Sequence, residues 1–143
     1  MNIKSTIFNS SIGALLQSNH LLTSDIETGT EVSLFVAGPA QEPYGVVGIQ
    51  VFGKTALLRS LAVSESGRGK GLGSALVEHV EHHARSLGVR SIYLLTTTAA
   101  QFFETRGYNT VNREDAPTSI AETSQFSSLC PGSSALMVKV LGA

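Results

Sequence analysis

The segment Arg68-Gly69-Lys70-Gly71-Leu72-Gly73 joins a strand-like apolar run, Leu57 to Val63, to an amphipathic helix that begins near Leu72. Its three glycines at alternate positions let the backbone approach a ligand closely and adopt conformations that a β-carbon disfavours. The helix turns its free N–H groups toward the same point, so the turn is predicted to bind a phosphate or pyrophosphate. It is neither a Walker A loop nor a G-x-G-x-x-G dinucleotide motif. The alternative is a turn that only links strand to helix.

The helix after this turn is predicted to pack on a core. It ends at Gly88, and Ser91 to Leu95 is predicted to be a second buried strand. Strand, turn, helix and strand then form a parallel βαβ unit. The apolar face recurs at helical spacing and consists of Leu72, Leu76, Val80, Ala84 and Leu87, whereas Glu78, Glu81, His82 and Arg85 lie mostly elsewhere on the helical wheel.

Length and composition favour a single globular domain, residues 1–143, because 42% of the 143 residues are hydrophobic. A net charge of −1 gives no electrostatic basis for binding nucleic acid or an anionic membrane. No apolar run approaches the ~20 residues of a membrane span, and Met1 to Ser10 lacks the pattern of a signal peptide, so a cytoplasmic location is expected. The single Cys130 cannot form an internal disulfide, which agrees with a reducing compartment.

The rest of the chain is predicted to continue this compact order without repeats. Pro117 to Ser134 contains apolar residues and is expected to fold back over the sheet. The other predicted helices are Ile12 to Gln17, a second helix capped near Thr23-Ser24-Asp25, and a short helix from Thr98 to Arg106 that is ended by Gly107. The other predicted strands are Val32 to Ala37, Val46 to Phe52, Asn109 to Asn112 and Ala135 to Leu141. The strand Val46 to Phe52 is predicted to form a hairpin with Leu57 to Val63, and the turn between them contains Gly53-Lys54.

Two signatures resemble the GCN5-related N-acetyltransferase superfamily. The first is R-x-x-G-x-G at Arg68 to Gly73, and the second is A-x-x-F-F-E-x-x-G-Y at Ala99 to Tyr108. The resemblance implies an α/β single-domain fold in which helices flank a mixed central sheet with splayed fourth and fifth strands. Four segments are similar to the branch associated with arsenic resistance, namely Leu21 to Asp25, Leu57 to Val63, Leu94 to Ala99 and Gln125 to Pro131.

The resemblance also implies that acetyl-CoA is the cosubstrate. The Leu61 backbone N–H then faces the thioester carbonyl and stabilises the oxyanion, and Val63 pairs with the pantetheine amides. Arg68 to Ser74 cradle the pyrophosphate. The cofactor-binding residues that follow are Leu61, Ala62, Val63, Arg68, Gly69, Lys70, Gly71, Leu72, Gly73, Ser74, Thr96, Phe102 and Phe103.

Two departures from the family pattern leave proton transfer unassigned. Phe103 stands where a tyrosine is usual, and a phenyl ring cannot reprotonate the leaving thiolate. Leu57 stands where histone-type relatives carry a glutamate that acts as general base. Solvent or another donor must then serve as the acid, and the candidates by residue type are Tyr93, Tyr108, Ser127, Ser128 and Cys130. Either a base comes from elsewhere, with Glu27, Glu31, Glu42 and His20 as candidates, or the enzyme captures the neutral minority of the amine.

Arg59 is the candidate acceptor-binding residue, because it interrupts an apolar strand. Strand alternation places it on the side of Leu61 and Val63. If that side lines a cleft, the guanidinium can hold a carboxylate, phosphonate or arsenical oxyanion through two N–H groups. The alternative is a structural ion pair with an acidic residue such as Glu31.

No metal is expected. His79, His82 and His83 share one helix, but the H-E-x-x-H pattern is absent and acetyl transfer needs no metal. A single Cys130 is better explained as a small buried hydrophobe than as an arsenic ligand.

These observations favour an N-acetyltransferase that moves acetyl from acetyl-CoA to a primary amine by direct attack in a ternary complex. The expected acceptor is a small anionic or amino-acid-like molecule, with arsenic-containing and phosphinate analogues among the candidates. A protein or peptide N-acetyltransferase and a non-catalytic acyl-CoA sensor remain alternatives, and a homodimer is left open. No nucleic-acid or membrane partner is expected.

Overall fold

The computed structural model describes residues 3–19, 21, 23, 32–39, 41–123, 126 and 134–141. Its strands are β1 (Ile3–Thr6), β2 (Ser33–Ala37), β3 (Gly45–Phe52), β4 (Thr55–Val63), β5 (Ser91–Thr96), β6 (Asn109–Val111) and β7 (Ala135–Val140). Its α-helices are α1 (Ser10–Ser18), α2 (Leu72–Ser86), α3 (Ala100–Glu104) and α4 (Thr118–Ala121). The strands form a mixed sheet in the order β1-β2-β3-β4-β5-β7-β6. None of the helices in the described ranges has the length and hydropathy that crossing a membrane requires.

The chain divides into two compact units, and the first comprises Met1–Gln50 and Leu58–His83. In this unit β2 pairs antiparallel with both β1 and β3. Helix α1 begins where Asn9 Oδ1 accepts a hydrogen bond of 2.8 Å from the Ile12 N–H, as an N-cap does. The core beneath α1 consists of Ile12, Leu16, Leu34, Val46 and Ala62, each at most 3% exposed.

The second unit comprises Val51–Leu57 and Ala84–Ala143. The start of β4 pairs in parallel with β5, Thr55–Leu57 opposite Ser91–Tyr93, which confirms the predicted βαβ connection. This register covers the first three residues of each strand, and splaying of the strands beyond it stays a prediction. β7 pairs antiparallel with β5 and β6. The buried cluster here consists of Leu57, Ile120 and Leu136.

The predicted strands and helices within the described ranges are confirmed, and their ends differ from the predicted ones by at most two residues. The prediction that Leu87 belongs to the apolar face of α2 is wrong. Leu87 is 54% exposed because α2 ends at Ser86. The Val89 N–H donates to Ala84 O across Gly88, whose φ is 86°, so Val89 is the residue that returns to the core, at 3% exposed.

Two elements escaped the sequence analysis because they are short. β1 has four residues without an apolar alternation, and α4 has four residues inside the segment that was expected to fold over the sheet. Ile120 of α4 is fully buried against Leu57 and Leu136, so this part of the expectation is confirmed. The predicted helix after Thr23 lies outside the described residues.

Candidate functional site

The glycine turn starts from a fixed position at the end of β4. The Gly67 N–H donates to Ser64 O at 3.0 Å and to Ser64 Oγ at 3.3 Å, which closes a short 3₁₀ turn at Glu65–Gly67. A Cβ atom added at Gly67 would lie 2.7 Å from Tyr44 O, and the Ser64 N–H donates to the same carbonyl at 2.8 Å. The backbone of Tyr44 therefore sets where the turn begins.

Gly69 and Gly71 adopt the left-handed conformations that the sequence predicted, with φ values of 77° and 73°. An added Cβ at either position would find no heavy atom within 4 Å, and both residues are exposed. The turn therefore has room for a ligand. Gly73 differs from the prediction, because it lies in the first turn of α2 and its φ is not positive.

Helix α2 begins directly after the turn. Leu72 anchors its first turn in the core at 2% exposed, and the first helical hydrogen bond of this turn runs from the Ala75 N–H to Gly71 O at 3.1 Å. The N–H groups before it point out of the helix end, where the macrodipole is positive. No acidic side chain lies in this first turn. The arrangement fits a phosphate.

The side chain of Arg68 bends back along the protein surface. Its Nε donates to Val63 O at 3.3 Å, and its Nη2 lies 3.5 Å from Asn19 Oδ1 at the end of α1. The exposed Lys70 adds a second positive charge to the turn. A pantetheine amide that pairs with Val63 O would have to share this carbonyl with Arg68, and a carbonyl can accept two hydrogen bonds.

Arg59 is buried, at 3% exposed, and it is already hydrogen-bonded. Its Nε donates to Ser60 Oγ and its Nη1 to Gln50 Oε1, both at 3.1 Å. The sequence pattern indicates Arg59 but not these two partners, although Gln50 is a polar residue in an apolar run. The suggested ion pair with Glu31 lies outside the described residues.

The structure corrects the face on which Arg59 lies. Gln50 is four residues from Val46 on β3, so the two share a face, and Val46 packs with Ala62 of β4. Arg59, bonded to Gln50, therefore lies on the face of Ala62 rather than on that of Leu61 and Val63. The reason is Ser60, whose φ of 58° interrupts the alternation of the strand.

The second signature forms an aromatic cluster in the second unit. The ring of Phe103, 4% exposed, lies edge-on to the rings of Phe102 and Tyr108, with centroids 5.0 Å and 5.5 Å away. The Arg106 guanidinium lies 3.7 Å above the Phe102 ring. Thr96 Oγ1 accepts a hydrogen bond of 2.9 Å from the Ala99 N–H before α3. Contacts of Thr96, Phe102 and Phe103 with the cosubstrate stay predictions.

The described residues do not identify a general acid or base. Leu57, where the resemblance predicts the position of a glutamate in histone-type relatives, is 1% exposed within an apolar cluster, and Tyr108 is also 1% exposed. Tyr93 packs at the edge of the same cluster as Leu57, and Glu42 is exposed. The remaining candidates lie outside the described residues, namely His20, Glu27, Glu31, Ser127, Ser128 and Cys130.

The histidines of α2 pack against an aromatic ring. His79 and His83 lie edge-on to Phe35 of β2, with centroids 4.8 Å and 4.9 Å from it. Burial, followed by the charges of His83 and His82, lowers the pKa of His79 from its ordinary value of 6.5. In the described ranges, no group of three or more His, Cys, Asp or Glu side chains is arranged to hold a metal ion.

Comparison with known proteins places this site in context. Residues 30–110 match the family described as "Acetyltransferase (GNAT) domain". A curated amino-acid acetyltransferase of Pseudomonas syringae pv. tomato is 35% identical over 69 residues, which cover 48% of this chain and 16% of that protein. This chain therefore corresponds to a small part of that relative.

Solved structures share the fold. N-acetylglutamate synthase from Neisseria gonorrhoeae, solved with coenzyme A and N-acetyl-glutamate, has a TM-score of 0.78 at 21% identity, over 100% of this chain and 36% of that one. A GNAT-family acetyltransferase from Staphylococcus aureus has a TM-score of 0.77 at 17% identity, over 99% of this chain and 100% of that one. Because the family match spans more than half of the chain, the chain belongs to the GNAT acetyltransferase family.

Proposed function

We propose that this member of the GNAT family transfers an acetyl group from acetyl-CoA to a primary amine. The observation that carries the proposal is the exposed turn between β4 and α2, in which Gly69 and Gly71 adopt left-handed conformations with open space around them. Backbone N–H groups of Arg68 to Ser74, with the charges of Arg68 and Lys70, would hold the pyrophosphate.

The transfer would proceed by direct attack in a ternary complex. The neutral amine nitrogen attacks the thioester carbonyl carbon, and the resulting oxyanion accepts a hydrogen bond from the Leu61 N–H. The C–S bond then breaks, the nitrogen loses its extra proton, and the thiolate of coenzyme A takes up a proton. Neither Phe103 nor Leu57 can accept or donate these protons, so solvent or an unassigned group accepts the proton of the nitrogen and donates one to the thiolate.

The proposed acceptor is a small amine that carries an acidic group. The curated relative is an amino-acid acetyltransferase, and the gonococcal enzyme was solved with N-acetyl-glutamate. The predicted contact of Arg59 with the acidic group stays part of this proposal: Ser60 Oγ and Gln50 Oε1 accept hydrogen bonds from its Nε and Nη1 and orient its guanidinium, a group whose planar fork suits a carboxylate. The similarity to the arsenic-associated branch adds amino-acid-like phosphinates and arsinates to the candidates.

An acceptor screen tests the function. Thiol release from acetyl-CoA would be compared for acidic amino acids, phosphinate and arsinate analogues, neutral alkylamines and lysine-containing peptides. We expect anionic small amines to give a kcat/KM at least about tenfold higher than the neutral ones, as one charge-assisted contact would provide. Preference for peptides would favour a protein N-acetyltransferase. Binding of acetyl-CoA without turnover of any acceptor would indicate a sensor.

Substitution of Arg59 tests the acceptor contact in the same assay. Arg59→Lys keeps the charge but loses the planar fork, so it should raise the KM for an anionic acceptor, and Arg59→Leu should raise it more, by about tenfold or beyond. The KM for acetyl-CoA should not change. Arg85→Leu, on an exposed position of α2, removes the same charge elsewhere and serves as the control. Unchanged acceptor KM in both Arg59 variants would show that Arg59 does not contact the acceptor.

A further inference from the structure

Ser60 has a backbone conformation that serine rarely adopts. Its φ is 58°, and it is the one non-glycine residue with a positive φ in the described part of the chain. This conformation brings Cβ close to the following carbonyl oxygen and costs energy. Ser60 is 5% exposed within β4, so it is not a solvated turn residue. Strained residues of this kind persist where surrounding contacts hold them, and they cluster at functional sites.

Two buried polar side chains hold Ser60 in place. Arg59 Nε donates to Ser60 Oγ, and Arg59 Nη1 donates to Gln50 Oε1 on β3, each at 3.1 Å. Gln50 and Arg59 are 7% and 3% exposed. Burying an amide and a guanidinium in an apolar sheet is unfavourable unless they are hydrogen-bonded. The three side chains thus form a connected network that spans β3 and β4.

The strained residue sets the direction of the next peptide group. The Leu61 N–H belongs to the planar peptide unit that joins Ser60 to Leu61, so the φ and ψ angles of Ser60 fix where this N–H points. The same conformation interrupts the alternation of β4, which is why Arg59 and Ala62 share a face. A relaxed extended conformation at Ser60 would turn the Leu61 N–H in another direction.

We infer that the Gln50–Arg59–Ser60 network positions the Leu61 N–H toward the acetyl thioester. The inference rests on the proposed acetyl transfer and adds to it a reason for the strained serine. In this role Gln50 and Ser60 are positioning residues, which act through the backbone and touch neither acetyl-CoA nor the acceptor. Loss of the network would reduce stabilisation of the oxyanion, which forms during the chemical step, and would leave ground-state binding of acetyl-CoA intact.

Ser60→Gly gives the sharpest test, because glycine adopts a φ of 58° without strain and removes the hydroxyl that Arg59 holds. We expect a melting temperature close to that of the wild type, because relief of the strain at residue 60 offsets the loss of the Arg59 Nε hydrogen bond, together with a kcat at least about tenfold lower, since a small misplacement of a catalytic group has effects of this size. The KM for acetyl-CoA should change less than about twofold. A purely structural role predicts the opposite, loss of stability with kcat retained in the folded fraction. Ser33→Gly, at an exposed position of β2, is the control for a serine-to-glycine change in a strand.

Substitutions at Gln50 provide an independent test if Ser60→Gly fails to fold. Gln50→Leu removes the acceptor of the Arg59 bond and should lower kcat, whereas Gln50→Glu keeps an acceptor oxygen and should retain most of kcat. An unchanged kcat in both Ser60→Gly and Gln50→Leu, beside an active wild type, would overturn the inference and leave the proposed function standing. A wild-type protein that turns over no acceptor would overturn the proposed function and this inference with it.

Discussion

At the scale of single residues, glycines of this chain are required for two different reasons. Gly67 is required for space, because an added Cβ would meet Tyr44 O at 2.7 Å. Gly69 and Gly71 are required for their positive φ, since nothing lies within 4 Å of an added Cβ. Gly88 also has a positive φ, 86°, and nothing lies within 4 Å of an added Cβ, but it lies just after the C-terminus of α2 and not in the turn before it. It is therefore a matched control for the cosubstrate turn.

Gly71→Val should weaken binding of coenzyme A more than a hundredfold. A β-branched side chain at this position blocks the close approach of the pyrophosphate, and losing one or two charge-assisted hydrogen bonds costs about 3 kcal/mol. The left-handed conformation should cost about 1–2 kcal/mol of folding stability in Gly71→Val and similarly in Gly88→Val. Calorimetric titration of both folded variants separates the two effects. Equal affinities for coenzyme A in the two variants would rule out the turn as the pyrophosphate site.

The sequence predicts the backbone conformation of a residue only where the residue type and its neighbours in the chain indicate it. The left-handed conformations of Gly69 and Gly71 follow from residue type and spacing, and they were predicted. The conformation of Ser60 could not be predicted, because serine has no preference for a positive φ. The prediction of the face on which Arg59 lies was wrong, because side chains alternate between the two faces only in an uninterrupted strand and Ser60 interrupts β4.

At the scale of elements, periodic patterns located the helices and strands that pack on apolar clusters. Helix α2 was predicted from its spacing and its glycine stop, and the parallel pairing of β4 with β5 followed from the connection through that helix. Short elements without a pattern were missed. β1 depends on pairing with β2, and α4 depends on packing of Ile120 against Leu57 and Leu136, so neither is encoded in a local pattern.

Helix α2 should contribute a pH dependence to stability through His79. The pKa of His79 is lowered in the folded chain, so the unfolded chain binds more protons below the ordinary value of 6.5. The contribution of His79 to the unfolding free energy should therefore be greatest above pH 6.5 and should decrease as the pH falls from 6.5 through the lowered pKa. His79→Gln should show a smaller decrease between about pH 8 and about pH 5.5 in denaturant titrations. The same decrease in both proteins would show that His79 does not cause it.

At the scale of the whole molecule, we propose that residues 1–143 form one domain although the contacts divide into two units. The boundaries between the units fall inside continuous elements. Gln50 and Val51 lie within β3, Leu57 and Leu58 within β4, and His83 and Ala84 within α2. Unfolding of either unit alone would break a strand or a helix in its middle, where hydrogen bonding and packing are cooperative.

The chain should consequently unfold in a single cooperative transition. In scanning calorimetry the calorimetric enthalpy should equal the van't Hoff enthalpy, as for a two-state domain. Coenzyme A at about a hundred times its Kd should stabilise the whole chain by about 2.7 kcal/mol and move this transition upward without splitting it. Gly88→Val should retain the full upward shift, and Gly71→Val should lose it at the same ligand concentration. Two resolved transitions, of which only one responds to coenzyme A, would show that the two units unfold independently and that the chain is not one domain.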